Sequence, residues 1–353
     1  MNKNRKILII TSNYPPKIGG VEKYSFDLYN NLKKRIGVDK ISNSKGKKFI
    51  VFFAVYALLK TLINQRKYLV IHLCSGTLAP LGFLLKIFTH KKIFIAVHGL
   101  DITWSNKFYQ IIIPWCIKRL DKVICGSNFT GKICEFYGIK SEKIKIINYG
   151  IDFENFDQNC MSKKDWAKKY NVNVEKKTII SVGRLIKRKG VTSFIENCLT
   201  KIKKINFHYF IIGDGPELVT ITETIAKFKL EKKISILVGV DDKDLGAFYE
   251  YADLFVMPNI ELENDIEGFG IVCIEAGSHG LPVLTSGIQG IKDSVIQDKS
   301  GFIYEDYLDC IRILNEFLDK KDLFKSRKFI KEFVEETFSW DKISKEYIKT
   351  YIE

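Results

Sequence analysis

Apolar residues in this chain gather in short continuous runs, each followed by a glycine-rich or polar loop and then by a stretch with helical spacing. Lys6 to Thr11 is the first run, the pattern of a strand buried on both faces of a parallel sheet. A loop with Pro15-Pro16 and Gly19-Gly20 comes next, and Val21 to Leu32 then carries apolar residues at helical spacing. Further runs begin at Tyr68, Lys92 and Lys122. Such alternation predicts a parallel α/β sheet. The rhythm pauses from Asn148 to about Asn173 and restarts with runs at Thr178, Phe207, Ile234, Leu254 and Pro282. The expected architecture is therefore α/β, with two doubly wound parallel-sheet domains over residues 1–152 and 174–336 and a linker over 153–173. Residues 337–353 are left as a separate amphipathic helix, with Trp340, Ile343, Tyr347 and Ile348 on one side.

Composition narrows the class. A chain of 353 residues with 46% hydrophobic and 27% charged residues has material for two cores and is neither disordered nor a small stapled scaffold. The formal charge of +15 lies wholly in the first half: residues 1–150 hold 26 basic and 7 acidic residues, and residues 151–353 hold 30 and 34. A basic half is compatible with nucleic acid, an anionic membrane or an anionic substrate. The eight cysteines are scattered, without metal-ligand spacing, and read as reduced and structural. With no leader-like opening, these thiols point to a cytoplasmic chain, with room for a peripheral position on the inner face of the cell membrane. Phe49 to Ile63 is the longest apolar stretch, broken by Lys60 and too short to span a bilayer. The segment 45–67, with Lys45, Lys47, Lys48, Lys60, Arg66 and Lys67 around it, has two readings: a helix resting on an anionic membrane, or a core helix with solvated flanks.

Ligands of doubly wound sheets sit at the carboxyl ends of the strands, so candidate chemistry is sought in those loops. Gly19 and Gly20 precede a helix and allow backbone to approach a phosphate, but there is no G-x-G-x-x-G or Walker A sequence. Arg184 and Lys189 stand five apart in a loop after a strand and suit a diphosphate, the one as a planar fork and the other as a point charge. Gly213-Asp-Gly-Pro216 is another open turn. The most specific piece places Glu267 in a glycine-bracketed loop and Glu275 eight residues on, inside the next helix; carboxylates there suit sugar hydroxyls. Asp242-Lys-Asp244 matches the D-x-D by which some transferases hold a divalent metal, yet it also stands where Asp caps a helix.

Taken in order, these segments resemble glycosyltransferase family four, together with His98-Gly-Leu-Asp101, Ser127-Asn-Phe-Thr130, Asn148-Tyr-Gly-Ile-Asp152, Gly280-Leu-Pro282-Val and Phe338-Ser-Trp340. The resemblance covers nearly the whole chain. It implies a GT-B fold, two Rossmann-like domains facing a cleft, with the C-terminal helix crossing back to the first domain. It further implies a retaining, metal-independent hexosyltransferase that uses a nucleotide-sugar co-substrate and no cofactor, acting on a lipid-linked or growing cell-surface glycan in polysaccharide biosynthesis of the cell envelope. In its terms Glu267 holds the transferred sugar, near the N–H groups of Gly268, Phe269, Gly270, Ile271 and Val272, and Glu275 takes the ribose. Arg184 and Lys189 neutralise the leaving diphosphate, Gly19 and Gly20 approach it, and Val240 meets the base. His98 lies beside sugar and acceptor, with Tyr14 and Asp101 on the acceptor side.

Two departures stand out. The loop from Pro258 to Glu267 is long and acidic, and the family's usual Gly-Gly-x-x-Glu becomes Ile288-Gln-Gly290-Ile-Lys-Asp293. A sugar-nucleotide epimerase on the same fold is the enzymatic rival, and a nucleic-acid-binding protein the non-enzymatic one, although no nucleic-acid motif is present.

Overall fold

A computed structural model describes residues 6–16, 19–43, 49–153, 161–202, 206–263, 265–319 and 323–353. The first unit alternates β1 (Lys6–Thr11), α1 (Gly20–Lys33), β2 (Val38–Ser42), α2 (Ile50–Asn64), β3 (Tyr68–Leu73), α3 (Ala79–Thr89), β4 (Lys92–Val97), the short α4 (Leu100–Thr103), α5 (Lys107–Ile117), β5 (Lys122–Cys125), α6 (Asn128–Phe136) and β6 (Ile144–Ile146). Its six strands are all parallel, in the order β2-β1-β3-β4-β5-β6. The second unit holds α7 (Lys163–Lys169), β7 (Lys177–Val182), α8 (Val191–Asn197), β8 (Phe207–Ile212), α9 (Leu218–Lys227), β9 (Ile234–Leu237), α10 (Asp242–Tyr251), β10 (Leu254–Met257), α11 (Ile271–Ser278), β11 (Val283–Thr285), β12 (Gly301–Ile303), α12 (Tyr307–Asp319) and α13 (Arg327–Phe338). It forms a second parallel sheet, β12-β11-β10-β7-β8-β9.

The α/β class and the paired Rossmann-like sheets agree with the expectation. Three strands were not anticipated: β2, β6 and β12. Each is short, and β2 (VDKIS) and β6 (IKI) are half polar and only partly buried, as suits strands toward the sheet edge. The stretch expected as a linker is corrected in part: α7 belongs to the second unit, where buried Trp166 packs edge-on against Phe248 at 5.5 Å. Cys160 and Lys45, Lys47 and Lys48 lie outside the described residues. The other seven cysteines are buried free thiols, the state of small apolar side chains.

The units divide at residues 150/151 and 339/340, so the last helix, α14 (Trp340–Ile352), is part of the first unit. It packs on α1, and the Tyr24 and Tyr347 hydroxyls meet at 2.9 Å. His72, wholly buried in β3, lies edge-on to the rings of Tyr347 and Tyr351, with its Nε2 3.2 Å from the Tyr24 hydroxyl. Burial first, and His98 second, lower its pKa to about 3.

This has a consequence for stability. Unfolding returns His72 to its ordinary pKa of about 6.5, so between that value and about 3 the unfolded chain binds the extra proton. Stability of the first unit therefore falls as pH drops below about 6.5, by ~1.4 kcal/mol per pH unit from this group. Urea titrations at pH 7 and pH 5 should show His72→Gln losing less stability over that interval than the parent; equal losses would contradict a neutral, buried His72.

Candidate functional site

The loops of the candidate site residues, after β1, β4, β7, β9 and β10, lie at the carboxyl ends of parallel strands, the end where such sheets bind ligands. In the second unit the loop after β7 is built around Gly190, at φ +67° and in contact with the Pro258 carbonyl; a Cβ there would collide with that carbonyl. The Ile260 N–H donates to the Arg188 carbonyl at 3.0 Å and fastens the loops after β7 and β10 together. Arg188 and Lys189 are thereby held against the acidic segment.

Glu267 is the centre of the cluster. Its Oε2 accepts from Lys189 Nζ at 2.6 Å, from Asn259 Nδ2 at 3.0 Å and from Arg188 Nη1. Arg188 Nε also donates to Asp265 Oδ1 at 2.9 Å, so one nearly buried guanidinium joins two carboxylates. Burial alone would raise the Glu267 carboxyl; the charges of Lys189 and Arg188 and the hydrogen bonds from Lys189 and Asn259 outweigh it and hold the carboxyl below its ordinary range. The backbone is fixed as well. Gln289 Oε1 accepts from the Glu267 N–H at 2.6 Å, and the Gly290 N–H donates to the Glu267 carbonyl at 3.1 Å. A Cβ at Gly290 would strike the Gly268 carbonyl, so only glycine permits this approach. The segment that departs from the family pattern is thus the one that braces Glu267.

Beyond Glu267, Gly270 adopts the left-handed conformation, φ +86°, and α11 begins with no side-chain cap and no acid in its first turn. Its leading N–H groups and dipole favour an anion. Glu275 lies buried a turn further on, where Tyr249 donates its hydroxyl to Oε2 at 3.1 Å. Phe269 is a core side chain, packed edge-on to Phe338, so it offers a ligand its backbone alone. Arg184 is exposed. Val240 is half-buried just after Gly239, which has φ +71°. The D-x-D residues act as a helix start: Asp241 accepts from the Asp244 N–H at 2.8 Å, and Asp244 is engaged by Lys169 and Tyr170.

In the first unit His98 follows β4. Its Nε2 donates to the Cys74 carbonyl at 2.8 Å, which leaves Nδ1 to accept from the Tyr149 hydroxyl. Tyr149 stacks on the imidazole at 5.8 Å and Tyr24 meets it edge-on at 4.8 Å. Asp101 supports this loop rather than presenting its carboxylate: Oδ1 accepts from the His98 and Gly99 N–H groups at 2.8 and 3.1 Å, and Oδ2 from the Gly76 N–H at 2.6 Å. Gly19 and Gly20 open α1, where Glu22 lies against Gly19 and accepts from Asn13 Nδ2 at 2.7 Å, placing a carboxylate at this helix start. Tyr14 carries Lys40 over its ring at 3.5 Å.

Of the residues singled out in sequence, the fold therefore brings Lys189 onto Glu267 and sets Glu275 in the helix behind it. Arg188, Asn259, Gln289 and Tyr149 were missed. Arg188 sits in a run of three cations that sequence order does not rank; the others act across 8, 22 and 51 residues.

Comparison with known proteins supplies the family. Residues 162–336 match Glycosyl transferases group 1 and residues 34–155 match Glycosyltransferase Family 4. An uncharacterized glycosyltransferase of Methanocaldococcus jannaschii is 27% identical over 268 residues, 72% of this chain and 63% of that relative, so the chain spans just under two thirds of its length. The GDP-mannose-dependent alpha-(1-6)-phosphatidylinositol monomannoside mannosyltransferase of Mycobacterium tuberculosis is 22% identical over 329 residues, 85% of each chain. The solved structure of Anabaena HepE in complex with UDP has a TM-score of 0.79 at 17% identity, covering 98% of this chain and 99% of that one. With family matches running through both units and the same architecture in solved relatives, the chain belongs to glycosyltransferase family four and has the GT-B fold.

Proposed function

We propose that the chain transfers a hexose, with retention of anomeric configuration and without a metal ion, from a nucleoside-diphosphate sugar to a hydroxyl of a lipid-linked or cell-surface glycan. The observation that carries this reading is the ionised Glu267 braced by Lys189 and Arg188 beside the uncapped start of α11. As the glycosidic bond breaks, negative charge grows on the departing diphosphate while the sugar becomes oxocarbenium-like. Lys189, the exposed Arg184 and the N–H groups of α11 are cationic or dipolar groups suited to that charge, and fixed groups of this kind stabilise a transition state without reorganising. Glu267 accepts from sugar hydroxyls and Glu275 from the ribose. The leaving phosphate takes the acceptor's proton, and the acceptor oxygen bonds to the anomeric carbon on the face the phosphate leaves. Metal independence is favoured by the engagement of Asp244 with Lys169 and Tyr170. A lipid-linked acceptor is in keeping with the phosphatidylinositol monomannoside named for the mycobacterial relative and with the basic first unit.

A thermal-shift screen against UDP-, GDP- and other nucleotide sugars tests the donor. A ligand at a hundred times its Kd should stabilise the native chain by about 2.7 kcal/mol, with a chelator present or absent. No shift with any nucleotide sugar would remove this reading. Consumption of the donor without acceptor would transfer it to the epimerase, and a glycosyl adduct on Glu267 or another carboxylate, detected by mass, would end the same-face mechanism.

A further inference from the structure

The first unit carries a continuous apolar surface that its own fold leaves uncovered. Right-handed crossovers from β2 to β3, β3 to β4 and β4 to β5 all run in one direction across the sheet, so α2, α3 and α5 share one face, opposite α1 and α14. They pack side by side, α2 on α3 and α3 on α5. Each buries one stripe in the core, through Phe53 and Ala57, Leu81 and Leu85, and Ile113 and Ile117. The opposite stripes are apolar too. Phe52 is 75% exposed and Ile63 83% on α2; Phe88 is exposed on α3; Phe108 is 77% and Ile111 68% exposed on α5, with Trp115 on the same stripe. Solvated helices carry polar residues there, and monomers rarely leave a contiguous apolar patch of more than a few hundred Å² in water.

Charge identifies the occupant. Residues 49–120 contain nine basic residues and a single acid, Asp101, whose carboxylate is tied to backbone N–H groups. Two of the cations stand directly against aromatic rings of this surface: the Arg119 guanidinium lies 3.6 Å over the Trp115 ring, and Lys60 donates to the Tyr56 hydroxyl at 2.8 Å. Aromatic rings with cations beside them suit the boundary between acyl chains and headgroups. A second copy pairing through the same patch would set the cations beside it against their own copies with no acid to offset them, which disfavours association. No helix among the described residues is long and apolar enough to cross a membrane.

We propose that the outer face of α2, α3 and α5 is a docking surface for an anionic lipid bilayer, on which the chain lies without spanning it. This extends the surface beyond α2 to two further helices, and it deepens the lipid-linked acceptor reading without needing a donor to be tested.

The test is flotation of the full chain with vesicles of phosphatidylcholine alone or mixed equally with phosphatidylglycerol. Binding is expected to the mixed vesicles only and to fall with salt. Phe108→Ser with Ile111→Ser, and separately Lys107→Glu with Lys118→Glu, should each weaken it about tenfold or more. All four positions are exposed, and an unchanged midpoint of thermal unfolding and an unchanged circular-dichroism spectrum in each variant, measured without any donor, separate loss of docking from loss of fold. Brominated phosphatidylglycerol adds a positional readout. Of the four tryptophans, Trp104 and Trp115 are exposed on this side and Trp166 and Trp340 are buried, so quenching should vanish with Trp104→Phe and Trp115→Phe. Absence of vesicle binding, binding that neither variant pair weakens, or a dimer that the Phe108/Ile111 pair dissociates would each overturn the proposal.

Discussion

Glu267→Gln is expected to lower sugar transfer by about 10²–10³-fold while the chain stays folded and still binds its donor. The range is that for removing one preorganised group acting on transition-state charge. The substitution keeps the shape of the side chain and the backbone brace from Gln289 and Gly290, and Arg188 retains Asp265. What disappears is the negative charge that Lys189 and Arg188 meet. Because those cations hold the Glu267 carboxyl below its ordinary range, its contribution is present throughout neutral pH and is lost only as pH falls below the usual carboxylate values. The parent's activity should accordingly show no protonation of this group between pH 5 and 8. Steady-state turnover and a thermal shift with the same donor make the comparison; near-normal turnover in the variant would remove Glu267 from the centre of the site.

The fold was legible where burial imposes a pattern. β1, β3, β4, β7 and β8 are nearly continuous apolar runs because neighbours cover both faces. β2 and β6 escaped because their polar positions erase that pattern. α7 escaped because one large side chain, Trp166, holds it while most of its residues are charged. At the site, the loops were legible through their glycines and Glu267 through its spacing from Glu275. The identity of its partners was not. Lys187, Arg188 and Lys189 are equivalent by composition; only the approach of the loop after β10 selects Arg188 and Lys189 and leaves Lys187 exposed. Asp101 shows the converse: the resemblance put it on the acceptor side, whereas three backbone N–H groups converge on it. The outward stripe of α2 was left between two readings, and those of α3 and α5 went unread, for a related reason, since an apolar helix reads the same whether its second face meets protein or lipid.

Arg188→Ala should cost the second unit about 3–5 kcal/mol, because it takes from the buried Glu267 charge one of its two cationic partners. Glu267 keeps Lys189 and Asn259, which places the loss toward the lower end, while Asp265, partly exposed, recovers water. Removing one cation also lets burial, the largest influence on Glu267, raise its carboxyl, so the acid limb of activity moves to higher pH than in the parent. Arg188→Lys restores the charge but not the fork that bonds Asp265 through Nε and Glu267 through Nη1, and a point charge serves one of them. It should recover part of the stability and leave the pH profile displaced. Unfolding of each variant and activity from pH 5 to 8 supply the two readouts. A parent-like profile in Arg188→Ala, with stability reduced, would make Arg188 a structural tie alone; a parent-like profile and stability together would show that the cluster does not depend on it.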